Sequence, residues 1–318
     1  MGDMFYFIMQ STMFFMIPLV VVALGGLFSE KSGVVNIALN GKMIMGAFTG
    51  ILFISTFQER LPGQPVLVLG LIIGMVTGIG VSLFHAFASI KLKANQVISG
   101  VAINMFAPAF AVYTSRRING TQLIRFNNQF QIESVPVLGD IPVVGQIFFQ
   151  NAYITTYLGF LILIISAFVL YKTKFGLRLR ACGEHPHAAD SVGVSVVKMR
   201  YAGVIISGAL AGMGGVILIV PITNVFDGSV SGYGFLALAV LIFGAWKPLR
   251  ILVAAFFFGL MSAVAASASV IEVLQVVDIP IHFYRMLPYV ATLVVLAFTS
   301  KNTMAPRAAG QPYDKGGR

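Results

Sequence analysis

Two short runs of this chain carry amides, hydroxyls and one ammonium inside otherwise apolar sequence. Asn36, Asn40 and Lys42 fall on one of them; Asn95, Gln96, Ser99 and Asn104 open and line the other. Asn36 and Asn40 are four apart, a spacing that predicts a shared helical face. A lysine at the centre of a membrane helix costs about 2.5–3.5 kcal/mol on insertion scales, so such a group belongs beside a cavity or a partner. Carboxamides both donate and accept, which suits a neutral polar solute rich in hydroxyls or ring nitrogens. Helix–helix hydrogen bonding accounts equally well for any one of these residues. As a set they favour a polar pathway.

Residues for covalent chemistry are missing. The nearest phrase to a phosphate-binding loop, GLFSEKS at 26–32, has Glu30 where the glycine before the lysine must stand. No HExxH, GxSxG or paired Cys/His cluster occurs, and of four histidines (His85, His185, His187, His282) only His185 and His187 are close. Two histidines without a third ligand read as surface groups. The single cysteine, Cys182, excludes an internal disulfide and reads as inert.

The elements that must position the polar runs are membrane helices. Of 318 residues 58% are hydrophobic and only 10% charged, with a mean hydropathy of +0.90. A soluble domain carries about 25% charged residues, so the water-facing surface for solubility is lacking. The net charge of +10 comes from basic residues in short loops between apolar runs, which is positive-inside bias and not a nucleic-acid footprint. Apolar runs occur at 5–28, 34–57, 65–90, 95–113, 152–171, 201–221, 235–245, 249–270 and 286–300. The reading is an all-α membrane protein, a polytopic bundle of about nine (8–10) helices forming one domain over 1–318. The second run opens with polar residues and the seventh is too short to span alone. The N-terminus, MGDMFYFIMQ, lacks a basic n-region, so the first run is expected to be retained as a span.

Residues 173–200 form the most basic connector, and with Lys172 just before it the region holds six of the 21 Lys and Arg. If this region is cytoplasmic and each run crosses once, fifteen basic residues fall inside. They are Lys31, Lys91, Lys93, those six, Lys247, Arg250, and Lys301, Arg307, Lys315 and Arg318 of the tail. Five (Arg60, Arg116, Arg117, Arg125, Arg285) fall outside, and Lys42 stays within a span. The N-terminus is then outside and the 301–318 tail cytoplasmic, lying along the inner surface or disordered. Residues 114–151 become an external loop, expected to be solvated with an interfacial helix or to contact an extracytoplasmic partner. Within the basic connector, Pro186 suits a first helical turn, Ala188 and Ala189 continue it, Gly193 suits a left-handed stop, and Ser195 can cap the next helix. Small residues every four positions (Gly70, Gly74, Gly78; Ser207, Ala211, Gly215) predict closely packed helices.

Six phrases follow in order along the chain between residues 25 and 300: GGLFSEKSGVVNIALNGKMIMGAF, KANQVISGVAIN, FGLRLRACGEHPHAADSVGV, RYAGVIISGALAGMGGVIL, GFLALAVLIFGAWKPLR and PYVATLVVLAFTS. Together they resemble the permease subunit of ABC importers for nucleosides and simple sugars (ribose or galactose type), the branch served by basic-membrane-protein-type lipoproteins. The resemblance implies a bacterial cell-membrane permease for nucleosides, paired with a second permease. It further implies two ABC ATPase subunits that hold the ATP and Mg, and an extracytoplasmic binding lipoprotein that delivers the solute. No cofactor is implied in this chain. The family's G-E-x-P-x-A-A-x-x-x-G coupling helix matches Gly183, Glu184, Pro186, Ala188, Ala189 and Gly193, and its early signature matches Ser32, Gly33 and Asn36, near the translocation path. Asn40 departs from the pattern, since relatives commonly have Glu there, and Lys42 is also unusual. The rivals are a sugar permease of the same class and an ion-coupled carrier or channel; the last requires buried titratable groups, of which few appear.

Overall fold

The bundle closes where glycines let backbones touch. In the computed structural model, which describes residues 2–268, 281–299 and 304–314, three helices meet in this way. They are α2 (Leu39–Phe57), α3 (Gln64–Ala86, continued by a π turn at Phe87–Lys91) and α9 (Val196–Ile222). A Cβ on Gly46 or Gly74 would meet the backbone of Gly212, and one on Gly78 would meet the carbonyl of Gly208. Of the four-residue spacings read from the sequence, Gly74 and Gly78 lie on the α3–α9 seam against Gly212 and Gly208, whereas Gly70 and Gly215 pack on α2; at each, close approach supplies dispersion contacts that lipid cannot match. G212V is expected to destabilise the permease by about 3 kcal/mol, the upper end for overpacking, because backbone and not a flexible side chain must move. Thermal unfolding in detergent measures it, and an unchanged midpoint contradicts the packing.

Around this seam runs α1 (Gly2–Lys31), buried continuously from Met16 to Glu30 and packed on α9, α6 (Ile154–Lys172), α10 (Tyr233–Phe243) and α11 (Pro248–Ser267). An all-round apolar helix belongs at the centre of a bundle, and α1 is that helix. The remaining elements are α4 (Gln96–Asn119), α5 (Val144–Phe148), α7 (Lys174–Glu184), α8 (Pro186–Ser191) and α12 (Ile281–Thr299). Against nine apolar runs in the sequence, six helices among the described residues are long and apolar enough to cross a membrane: α1, α3, α4, α6, α9 and α11. The 34–57 run is interrupted, since 34–38 are not helical, and the 235–245 run forms only the 11-residue α10. Helix α4 extends past its apolar run, ending on Arg116 and Arg117 in its last turn and on a left-handed Gly120.

One end of the bundle is covered by residues 120–153. There β1 (Ile124–Arg125) pairs antiparallel with β4 (Val225–Phe226), and β2 (Gln131–Ser134) with β3 (Gln150–Tyr153). These strand pairs are tied down: Ser55 Oγ donates to Arg125 O at 2.7 Å, and Asn128 Nδ2 to Val220 O at 2.9 Å. The interfacial helix expected in this stretch is only the five-residue α5. At the other end lie α7, α8 and the segment 304–314. The charges Lys301, Lys315 and Arg318 of the tail and the end of the last apolar run, Ser300, lie outside the described residues.

Candidate functional site

After α1 the chain turns at Gly33, whose φ of +95° favours glycine, and runs without helical bonding to Leu39. Non-helical backbone among membrane helices needs partners for its N–H and C=O groups. Other helices supply them. Gln96 Oε1 accepts from Val35 N at 2.7 Å, and His85 Nε2 lies 3.2 Å from Val35 O. Asn104 is a double partner: its Nδ2 donates to Ile37 O at 2.9 Å, and its Oδ1 accepts from Gly41 N at 2.7 Å. Ser99 holds the histidine, with Oγ 3.0 Å from His85 Nδ1. Q96A would leave the half-buried Val35 N–H without its acceptor, at about 1 kcal/mol. Thermal unfolding checks this; a shift no larger than that of an exposed control such as V97A contradicts the assignment.

The break redirects the first polar run. Asn36 precedes α2, so Asn36 and Asn40 do not share the helical face that their spacing predicts; Gly33 and the partners from α3 and α4 override it. Asn36 Nδ2 donates to Ser207 Oγ on α9 at 2.6 Å, and its Oδ1 accepts from Lys42 Nζ at 2.9 Å. Asn36 and Lys42 are both fully buried. Asn40 Oδ1 accepts from Gly234 N at 3.3 Å, in the first turn of α10, where an unpaired helical donor is available. Gly234 is required here, because a Cβ would meet the Asn40 backbone. Asn36, Asn40, Lys42, Gln96, Ser99 and Asn104 thus form one seam linking α2, α3, α4, α9 and α10, closed at Lys42. Ser32 sits at its edge, bonded to Ser29 O at 2.6 Å and packed on Gly203 of α9. Asn95 is elsewhere: it is exposed and spends its oxygen capping α4, on Val97 N and Ile98 N.

Helix α7 packs against the end of α1, beside the break at Gly33. Thr173 Oγ1 caps α7, which buries Gly176, Leu179, Cys182 and Gly183. A Cβ on Gly183 would meet the carbonyl of Lys31, the last residue of α1. Burial raises the Cys182 thiol above its ordinary range, so little nucleophilic thiolate is available. Pro186 opens α8, Ala189 is buried, Ala188 is exposed, and the chain reverses at Gly193 with φ +82°. Val194 N closes the turn on Ala189 O at 3.0 Å. Ser195 precedes α9 as expected, but its hydroxyl makes no capping bond.

Segment 304–314 straps these parts together. Ala308 N donates to Gly183 O at 2.9 Å, Gly310 N to Gly33 O at 3.2 Å, and Arg200 Nη1 to Gln311 O at 2.9 Å. Arg307 N reaches Glu184 Oε2 at 3.4 Å, and Lys93 pairs with Asp314 at 2.9 Å. A cleft of about 550 Å³ remains between the strap and α8, lined by Glu184, His185, His187, Arg200 and Arg307 among others. Sequence reasoning passed over Gly33 as a break, Ser207 as a polar partner, His85, and the strap. It also passed over Glu30, which is buried and accepts from Trp246 Nε1 at 2.6 Å. Its signal was present: a carboxylate at the end of a long apolar run needs a donor.

The comparisons with known proteins agree with the resemblance. Residues 8–296 match the family model described as branched-chain amino acid transport system / permease component. The guanosine ABC transporter permease protein NupQ of Bacillus subtilis is 44% identical over 98% of this chain and 97% of its own. The nucleoside ABC transporter permease protein NupC of Lactococcus lactis subsp. cremoris is 37% identical over 97% and 96%. TsgC13 of Haloferax volcanii, named for glucose, is 30% identical over 92% and 91%. No solved structure matches the chain significantly. With a family match over most of its length and a bundle of apolar helices, this chain belongs to the branched-chain amino acid transport system / permease component family, as a multi-pass membrane permease subunit of an ABC transporter and not an enzyme.

Proposed function

We propose that this chain is the translocation subunit of a bacterial importer for nucleosides. The observation that carries the reading is full-length identity of 44% and 37% to permeases named for guanosine and nucleosides. The amide seam supports it, because Asn36, Asn40, Gln96 and Asn104 offer the paired donors and acceptors that hydroxyls and ring nitrogens need. ATP and Mg bind two ATPase subunits that dock on α7 and α8. A second permease pairs with this one, and a lipoprotein delivers the solute outside.

The topology that fits is nine crossings, with α2 and α12 joining the six long helices. The ninth is broken: residues 227–232 descend without helix before α10. Helix ends alternate accordingly. Lys31, α7, α8, Trp246 and the strap gather at one end, and the strand pairs, Ser55 and Val220 gather at the other. The basic connector supports a cytoplasmic first end and an N-terminus outside.

The mechanism follows from these connections. ATPase closure displaces α8. Gly183 passes the displacement to Lys31, and the strap passes it to Gly33, so the break that holds Asn36 and Lys42 shifts and the seam opens. The test is the cognate lipoprotein's preference. Saturable binding of labelled guanosine supports the reading, whereas binding of glucose or ribose with no nucleoside binding replaces it with the sugar reading that the identity to TsgC13 favours.

A further inference from the structure

Where α6 ends and α11 begins, the surface forms a groove of about 420 Å³ lined by Ala167, Tyr171, Lys247, Pro248, Leu249 and Arg250. Its walls are mostly apolar, but its mouth is cationic. Lys247 and Arg250 are both exposed, Lys172 is exposed beside Tyr171, and the Arg180 guanidinium lies 4.9 Å over the Tyr171 ring. Among the described residues, no acidic one lines the groove. The carboxylates of this corner are engaged elsewhere, Glu30 with Trp246 Nε1 and Glu184 with the Arg307 amide. From the groove an exposed apolar band continues along both helices, through Phe168 and Ile164 on α6 and Leu249 and Val253 on α11.

An anionic head with long apolar chains matches both halves of this surface. Basic pockets between membrane helices on the cytoplasmic side bind anionic head groups, and each Lys or Arg near such a surface contributes about 1 kcal/mol. The first turn of α11, with Pro248 as its first residue, adds unpaired N–H groups of the same sign.

We infer that this groove binds an anionic phospholipid of the inner leaflet, its head group held by Lys247 and Arg250 and its chains lying along α6 and α11. The inference takes from the proposed topology only which leaflet supplies the lipid. Lipid retention is read without transport, so its failure leaves the nucleoside reading intact, and failure of that reading leaves retention intact.

The test uses the full chain purified in neutral detergent, titrated with phosphatidylglycerol or phosphatidylcholine and followed by native mass spectrometry. Phosphatidylglycerol should be retained in preference to phosphatidylcholine. K247Q and R250Q should each weaken its retention roughly fivefold, the equivalent of about 1 kcal/mol per basic residue. Both side chains are exposed, so the lipid-free unfolding midpoints of the variants should match the parent's. Equal retention of the two lipids overturns the inference, as does undiminished phosphatidylglycerol retention by the double variant. Displacement of the lipid when an ATPase subunit binds would also overturn it, by making the groove a protein contact.

Discussion

K42M is expected to make the permease more stable and to cut nucleoside uptake at least tenfold. Lys42 is fully buried, it donates to Asn36 Oδ1, and among the described residues no carboxylate pairs with it. A lysine at membrane depth costs about 2.5–3.5 kcal/mol, and methionine keeps most of its length without the charge. Losing that donor leaves Asn36 Oδ1 buried without a partner, which offsets about 1–3 kcal/mol of that gain and leaves a net stabilisation of about 1 kcal/mol. The uptake loss follows if the ammonium meets the solute once the seam opens. Thermal unfolding and uptake, measured on the same preparation, separate the two effects. A less stable variant would make the Lys42–Asn36 bond a structural strut, and a stabilised variant with full uptake would remove Lys42 from the path.

The second large effect is expected at Ala188. A188R should leave the folded permease intact and the partner ATPase active, while uptake falls to near background. Ala188 is exposed on α8, whereas Ala189 beside it is buried, so only position 188 can be enlarged without disturbing the packing beneath. An exposed substitution of this kind changes stability by no more than about 0.5 kcal/mol. A bulky cation there should obstruct ATPase docking on α8, so that hydrolysis no longer moves Gly183 against Lys31. Uptake and ATPase rate in one reconstituted preparation decide it, since unchanged uptake per ATP hydrolysed would move coupling away from α8.

Much of this architecture was legible in local sequence. Glycines four apart on α3 and small residues on α9 announced a close seam, because helix geometry puts such positions on one face. Pro186 and Gly193 framed α8, because their backbone preferences act at single positions. The break at Gly33 was not legible. Val34 to Ala38 continue an apolar run, and what holds them out of a helix comes from His85, Gln96 and Asn104, far along the chain. The strap was hidden for a related reason. Its Pro/Gly-rich composition left a surface-lying tail and a disordered one equally open, while its order rests on backbone bonds to Gly183 and Gly33 that no side-chain pattern encodes. The solute class came from resemblance and relatives; the amides alone are consistent with any hydroxyl-rich solute.

As a permease subunit without a catalytic site, this chain is expected to move nucleosides only when ATP hydrolysis on partner subunits drives it. Proteoliposomes holding the chain with its second permease, the ATPase pair and the binding lipoprotein measure that directly through uptake of labelled guanosine. Saturable uptake that requires ATP hydrolysis and disappears when the ATPase subunits are omitted is expected. Guanosine uptake by this chain without those subunits, driven by an ion gradient, would contradict it.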